Sequence, residues 1–214
     1  MRALLTALLL AAPLAGLPAA SGQAAGTAQL AAAASPELRL MAALPDPLAG
    51  LRRHGPATDF GANPAAPPGL GVAQRYVPVS GERLVATLYL YDRGRRQGPE
   101  GAGSPALELE LNQTAAEMRA MVQMGRYRAV TPATSSAVPD RNGVPGLRCA
   151  TFEAVQEDGS TTGEAVCLTV LGGRFVKTRV SSWLPGGAPV ALRAASGLLS
   201  GVIETLPASR AHNP

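Results

Sequence analysis

Between residues 84 and 91 the chain alternates without a break, Leu84, Ala86, Leu88 and Leu90 falling on one face and Val85, Thr87, Tyr89 and Tyr91 on the other. Successive strand side chains point to opposite faces, and apolar character on both faces places such a strand inside a sheet. Upstream, "GLGVAQRYVPVS" is a second β-rich run, joined to the first near Ser80-Gly81, where glycine can take the positive φ of a tight hairpin. Three further runs, at about 146 to 156, 162 to 171 and 174 to 182, are separated by turns at Asp158-Gly159 and Gly172-Gly173 and predict an antiparallel meander. "RYRAV" adds a short strand candidate.

Helical spacing governs two stretches. In "ALELELNQTAAEMRAMVQMG" Leu107, Leu109 and Leu111 alternate, yet Leu107, Leu111, Thr114, Met118, Met121 and Gly125 step by four and three. Length, helix-forming residues and the stop at Gly125 favour a helix from about 105 to 124 that opens at Ser104-Pro105. The alternative is a strand over 107 to 111 and a helix from about 115, with Thr114 to Glu117 as its capping box. Leu192, Ala195, Leu199, Val202, Ile203 and Leu206 mark a second helix over about 189 to 205. The order ββαβ-βββα predicts an α+β fold, an antiparallel sheet of about five to six strands with two helices packed on it.

Parity carried across a two-residue turn at Gly172-Gly173 puts Cys167 on the face of Leu171, Val176 and Val180. Phe152, Val166, Leu168, Val170 and Phe175 make the opposite face equally apolar, so a sheet covered on both sides is expected.

The flanking segments read differently. Met1-Arg2 precedes an apolar run from Leu4 to Leu17, about 14 residues broken by Pro13, against the roughly 20 that a spanning helix needs. Residues 1 to 24 therefore read as a signal peptide, cleaved after the small-residue pattern Gly22-Gln23-Ala24 or after Ala20-Ser21-Gly22, and the mature chain is expected to have no transmembrane segment. Residues 25 to 69, rich in Pro and Ala, read as a flexible tether, with one short helix across "SPELRLMAALP" capped by Ser35. A single domain over 70 to 207 and a disordered tail over 208 to 214 complete the organisation. "DRGRRQGPEGAG" and "TPATSSAVPDRNGVPG" read as loops.

The formal charge of +4 changes little. Of the 19 basic residues only Lys177 is a lysine, and residues 70 to 207 hold 14 basic and 12 acidic side chains, a net of +2 that gives little long-range steering. With export, this argues against a nucleic-acid partner.

Cys149 and Cys167 lie symmetrically about residue 158, so a hairpin turning there sets them opposite each other, within reach of a disulfide. Export to an oxidising compartment favours the bond, and two packed free thiols are the alternative. A metal or redox site fails on inventory: there is no Cys-x-x-Cys, and the histidines, His54 and His212, fall in the tether and the tail. No metal or cofactor is expected.

Catalytic chemistry finds little support. There is no Gly-x-Ser-x-Gly and no phosphate-binding glycine loop. Asp92, Glu82 and Asp140 are loop carboxylates whose ordinary role is turn formation. Arg93, Arg95 and Arg96 could clamp an anionic headgroup or an acidic partner, or form a solvated loop. Tyr89, Tyr91 and Trp183 could line a pocket or pack on the sheet, and Met118, Met121 and Met124 read as core filling.

Taken in order, "ATLYLYDRG", a helix ending in "MGRY", "CATF", "GEAVCLTV" and "GGRFVKTRV" resemble a group of uncharacterised exported proteins of Gram-negative bacteria that carry signal peptides. More loosely, the element order resembles the PsbP-like α/β sandwich, whose members are mostly accessory or binding modules. With the leader segment, the expected role is a periplasmic or secreted, non-enzymatic accessory or binding protein of unknown ligand, with an envelope protein or an anionic headgroup as candidate partner. The competing expectations are a small hydrolase or transferase using loop carboxylates, and anion binding at an envelope surface through the Arg-rich loop.

Overall fold

The fold begins with α1 (Pro36–Ala43), whose first turn is capped by Ser35 accepting from the Leu38 N–H at 3.2 Å. Two short strands, β1 (Leu51–Arg53) and β2 (Thr58–Asp59), and a 3-10 turn at Phe60–Ala62 lead into the hairpin β3 (Val72–Pro78) and β4 (Leu84–Tyr91). Next come α2 (Pro105–Gln123), β5 (Ala129–Val130) and β6 (Thr134–Val138). The meander β7 (Leu147–Val155), β8 (Thr161–Leu171) and β9 (Arg174–Ser182) follows, and α3 (Gly187–Thr205) closes the chain. This computed structural model describes residues 34–95, 101–131, 134–140 and 144–206. The expected signal peptide and C-terminal tail lie outside the described residues.

All strand pairs are antiparallel, in the order β1-β3-β4-β9-β8-β7-β5, with β2 sharing the β3 edge and β6 sharing the β7 edge. The α+β class and the five long strands match the expectation from alternation. Among the described residues the sheet has nine strands rather than five to six, and three α-helices accompany it rather than two. The additional strands are edge pieces: β6 comes from the segment read as a polar loop, and pairs its exposed residues with Leu147 to Thr151 of β7. β1 and β2 carry too few residues for a period of two to register, and the five of β6 are all exposed, so they show no apolar face.

Residues 107 to 111 are helical, as part of α2. One face of the sheet packs Leu84, Ala86, Leu88, Leu90, Cys167, Val176 and Val180 against Ala195, Leu198, Leu199 and Val202 of α3. The opposite face packs Ala150, Phe152, Val166, Leu168 and Phe175 against Leu107, Leu111 and Met118 of α2. Cys149 and Cys167 face each other across β7 and β8 and form a disulfide with a Cα separation of 4.1 Å.

Residues 35 to 69 do not behave as a tether. Met41, Leu44, Leu48 and Leu51 are buried in the α3-side core, and the folded unit begins at Ser35 rather than at about 70. Polar contacts hold the segment in place. The Arg53 guanidinium donates to the carbonyls of Met41, Ala42 and Leu44 at the end of α1, and Arg174 of β9 pairs with Glu37 at 2.6 Å. Dense proline argues against long regular elements, but it leaves apolar residues free to pack from short ones.

Candidate functional site

α2 covers only part of its face of the sheet. It lies over β7 and β8, leaving Thr87 and Tyr89 of β4 and Lys177 and Arg179 of β9 partly accessible on the same face. Between this surface, the exposed Glu117 of α2 and the segment that leads into β3 runs a cleft of about 180 Å³. Tyr89, Tyr91 and Lys177 line it from the sheet, Phe60 and Leu70 from the preceding segment, and Arg93 from the loop after β4. Part of the supposed tether is thus a wall of the cleft.

Lys177 lies directly across from Tyr89 in the β4–β9 ladder. Its ammonium stands 5.2 Å from the Tyr89 ring centroid and 5.3 Å from that of Tyr91, in range for attraction to both π-faces. The side chain is 13 % exposed, and its nearest carboxylate oxygen, Glu110 Oε1, is 4.0 Å away. That distance is beyond a hydrogen bond. Burial pushes the Lys177 pKa down, against the opposing pull of Glu117 and Glu110.

Glu110 anchors the end of the cleft. It sits on the buried stripe of α2 with Leu107, Leu111, Thr114 and Met118. Its Oε1 accepts from the Tyr91 hydroxyl at 2.7 Å and from Arg93 Nη2 at 2.6 Å, and its Oε2 accepts from Arg93 Nε at 3.2 Å. Burial alone would raise the carboxyl pKa, but hydrogen bonds from Arg93 and Tyr91, with the charges of Arg93 and Lys177, more than offset it and hold the group below its ordinary value. Burial and the adjacent carboxylate push the Tyr91 phenol up, so it remains a donor.

A second buried carboxylate lies further along the same face. Glu164 of β8 accepts from Tyr127 at 3.1 Å and Ser181 at 2.9 Å, with Arg179 Nε at 3.4 Å. Here burial dominates and raises its pKa despite Arg179 and both hydroxyls. Neither carboxylate was singled out in the sequence. The available signal was a charge on an otherwise apolar stripe, at Glu110 between Leu107 and Leu111, and at Glu164 inside β8.

The residues that were singled out scatter. Arg93 pairs with Glu110 through Nε and Nη2, with its side chain 33 % exposed. Arg95 lies over the Phe175 ring, 5.7 Å from its centroid, and Arg96 lies outside the described residues. Asp92 accepts from the Gly94 N–H and Asp140 from those of Ala102 and Gly146, so both carboxylates brace loops, while Glu82 is exposed. Tyr89 and Tyr91 meet at the cleft, whereas Trp183 stands beyond the end of β9, 37 % exposed. Met118 is core, Met121 is half-buried and Met124 is exposed. His54 follows β1 and His212 lies outside the described residues.

Among the described residues, no group of three or more His, Cys, Asp or Glu side chains is placed to hold a metal, and no helix is long and apolar enough to cross a membrane. No family model matches the chain, and no curated protein matches it. Among solved structures it is similar to the solution structure of cyanobacterial PsbP (CyanoP) from Synechocystis sp. PCC 6803, with a TM-score of 0.40 and 12 % identity over 72 % of this chain and 85 % of that one.

Proposed function

We propose that this chain is an exported, non-enzymatic binding or accessory protein of the bacterial envelope, and that the cleft beside Lys177 is where it holds a small ligand. One observation carries the reading: a concave site with aromatic and aliphatic walls ends on a lysine that is largely removed from water. Ligand sites combine these features, apolar walls for affinity and a few placed polar groups for orientation. The nearest buried acid, Glu110, is held ionised with both oxygens engaged, an arrangement that serves a fixed scaffold better than proton transfer. The apolar run at residues 4 to 17 and the Cys149–Cys167 disulfide both fit a chain that matures in the periplasm or outside the cell.

The test is to isolate the protein from periplasmic extract under native conditions, denature it, and identify the released small molecules by mass spectrometry. A variant with the cleft filled, Leu70→Trp, is treated in parallel. A compound retained by the wild type and lost from the variant is expected. Identical small-molecule inventories for the two proteins would overturn the cleft as the binding element.

A further inference from the structure

The structure assigns a ligand class to this cleft: we infer that it takes a small monocarboxylate with an apolar or aromatic body, the carboxylate on Lys177 and the body between Tyr89, Phe60 and Leu70. The inference rests on the cleft being a binding site and adds which chemistry fills it.

The first argument is the unmet donor capacity of Lys177. An ammonium carries three N–H donors. Among the described residues that of Lys177 has no hydrogen-bond acceptor, the nearest carboxylate oxygen lying at 4.0 Å. Glu110 does not close that gap because Tyr91 and Arg93 already draw on both its oxygens, at 2.6 to 3.2 Å. The Lys177 ammonium is not among the fully buried, unpartnered polar atoms, so water in the cleft reaches it, and an anion entering there would replace that water with a charge-assisted acceptor.

The second argument is charge balance. The cations around the cleft, Lys177 and Arg93, are opposed by Glu110 beneath them and Glu117 on α2. A dianion such as a phosphate monoester would face two carboxylates as well as two cations, of which Arg93 already gives Nε and Nη2 to Glu110. Two cations already balance two carboxylates here, so every added negative charge is uncompensated, and a monoanion is disfavoured less than a dianion. Among the described residues that line the cleft, none opens an α-helix of the kind whose N-terminus binds phosphate.

The third is size and wall chemistry. About 180 Å³ is below the volume of a drug-sized pocket and suits a body of one ring or a short branched chain. Tyr89, at once the ring beneath the Lys177 ammonium and a wall of the cleft, lets one residue orient the cation and face the ligand's apolar part.

The experiment uses matched probes on 15N-labelled mature protein: benzoate, phenylacetate and isovalerate, their neutral primary amides, and phenyl phosphate. Amide shifts are followed at Tyr89, Tyr91 and Lys177, and binding curves are fitted for each compound. At least one carboxylate should bind at the cleft, at least about tenfold tighter than its amide and than phenyl phosphate, the size expected for one charge-assisted hydrogen bond. Lys177→Gln should remove that preference while leaving the weak amide affinity. Equal binding of carboxylate and amide at the cleft, or tighter binding of phenyl phosphate, would overturn the monocarboxylate inference and leave the cleft as a binding site. No shift at the cleft with any probe would overturn both. The wild-type comparison decides the inference even if Lys177→Gln fails to fold.

Discussion

The Tyr91 hydroxyl donates a 2.7 Å hydrogen bond to Glu110, tying the last residue of β4 to the buried stripe of α2. Arg93 closes the same carboxylate from the other side at 2.6 Å. The cleft end is therefore a fixed ionic clasp between sheet and helix, and Glu110 titrates as part of it.

Because the folded state holds Glu110 below its ordinary value of 4.5, the unfolded chain binds this proton more tightly. The stabilisation is complete above about pH 4.5 and is lost as pH falls through the lower folded-state value. Glu110→Gln keeps the shape and removes the charge. It should cost about 2 kcal/mol near neutral pH, and its deficit against wild type should shrink as the solution is acidified. Urea unfolding at a series of pH values measures this; a deficit that stays constant or grows towards low pH would contradict the clasp.

Lys177 supplies an opposite sign. Burial lowers its pKa beneath the ordinary 10.5, so folding makes the ammonium easier to deprotonate than in the unfolded chain. The cost of burying the charge is present below the folded-state value and is relieved as pH rises from there towards 10.5. As it is the chain's one lysine, 13C-lysine labelling gives a single Cε resonance to follow. Its titration midpoint should fall below that of free lysine and rise when a carboxylate probe occupies the cleft. A midpoint at or above the free value would place the ammonium in water.

Met41 tests the part of the fold that composition hid. It is 1 % exposed in the α3-side core, and Met41→Ala should destabilise by about 3 kcal/mol, the usual cost of truncating a buried methionine. In a flexible tether the same change would stay within about 0.5 kcal/mol. Denaturant unfolding separates the two.

Legibility in the sequence followed the length of each pattern. The eight residues of β4 and the 19 of α2 and α3 repeat their period often enough to declare face and type. β1, β2 and β5 have two or three residues each, and only tertiary contacts define them. The segment before β3 was hidden by Pro, Gly and Ala, although its core residues Met41, Leu44, Leu48 and Leu51 were present in plain order. At the cleft, Tyr89, Tyr91 and Arg93 were visible as candidates, but Lys177 stood only as a compositional curiosity. Its place depends on the β4–β9 register, and its poverty of partners depends on Glu110, which arrives from a helix 67 residues earlier in the chain. No local pattern encodes such a meeting.

The Cys149–Cys167 disulfide spans 18 residues between neighbouring strands whose register is fixed by the sheet itself. A cross-link of this loop length constrains the unfolded chain by about 3 kcal/mol. The double variant Cys149→Ala/Cys167→Ala should fold to the same sheet with stability lower by about that amount, read from the urea midpoint. Unchanged stability between wild type and double variant would show that the cross-link adds no net restriction of the unfolded chain.

Two glycines separate close packing from simple chain freedom. Gly163 of β8 lies against the start of α3, where a Cβ would overlap the backbone of Gly187 and Ala188. Backbone on both sides leaves no side chain to move aside, so Gly163→Ala should cost about 3 kcal/mol by forcing helix and strand apart. Gly197, inside α3, has nothing within 4 Å of its would-be Cβ. There the substitution removes unfolded-state entropy and improves helix propensity, and Gly197→Ala should stabilise by about 0.5 to 1 kcal/mol. Thermal unfolding of both variants should therefore move in opposite directions. A loss at Gly197 comparable to that at Gly163 would mean that α3 is packed against another surface on its accessible side.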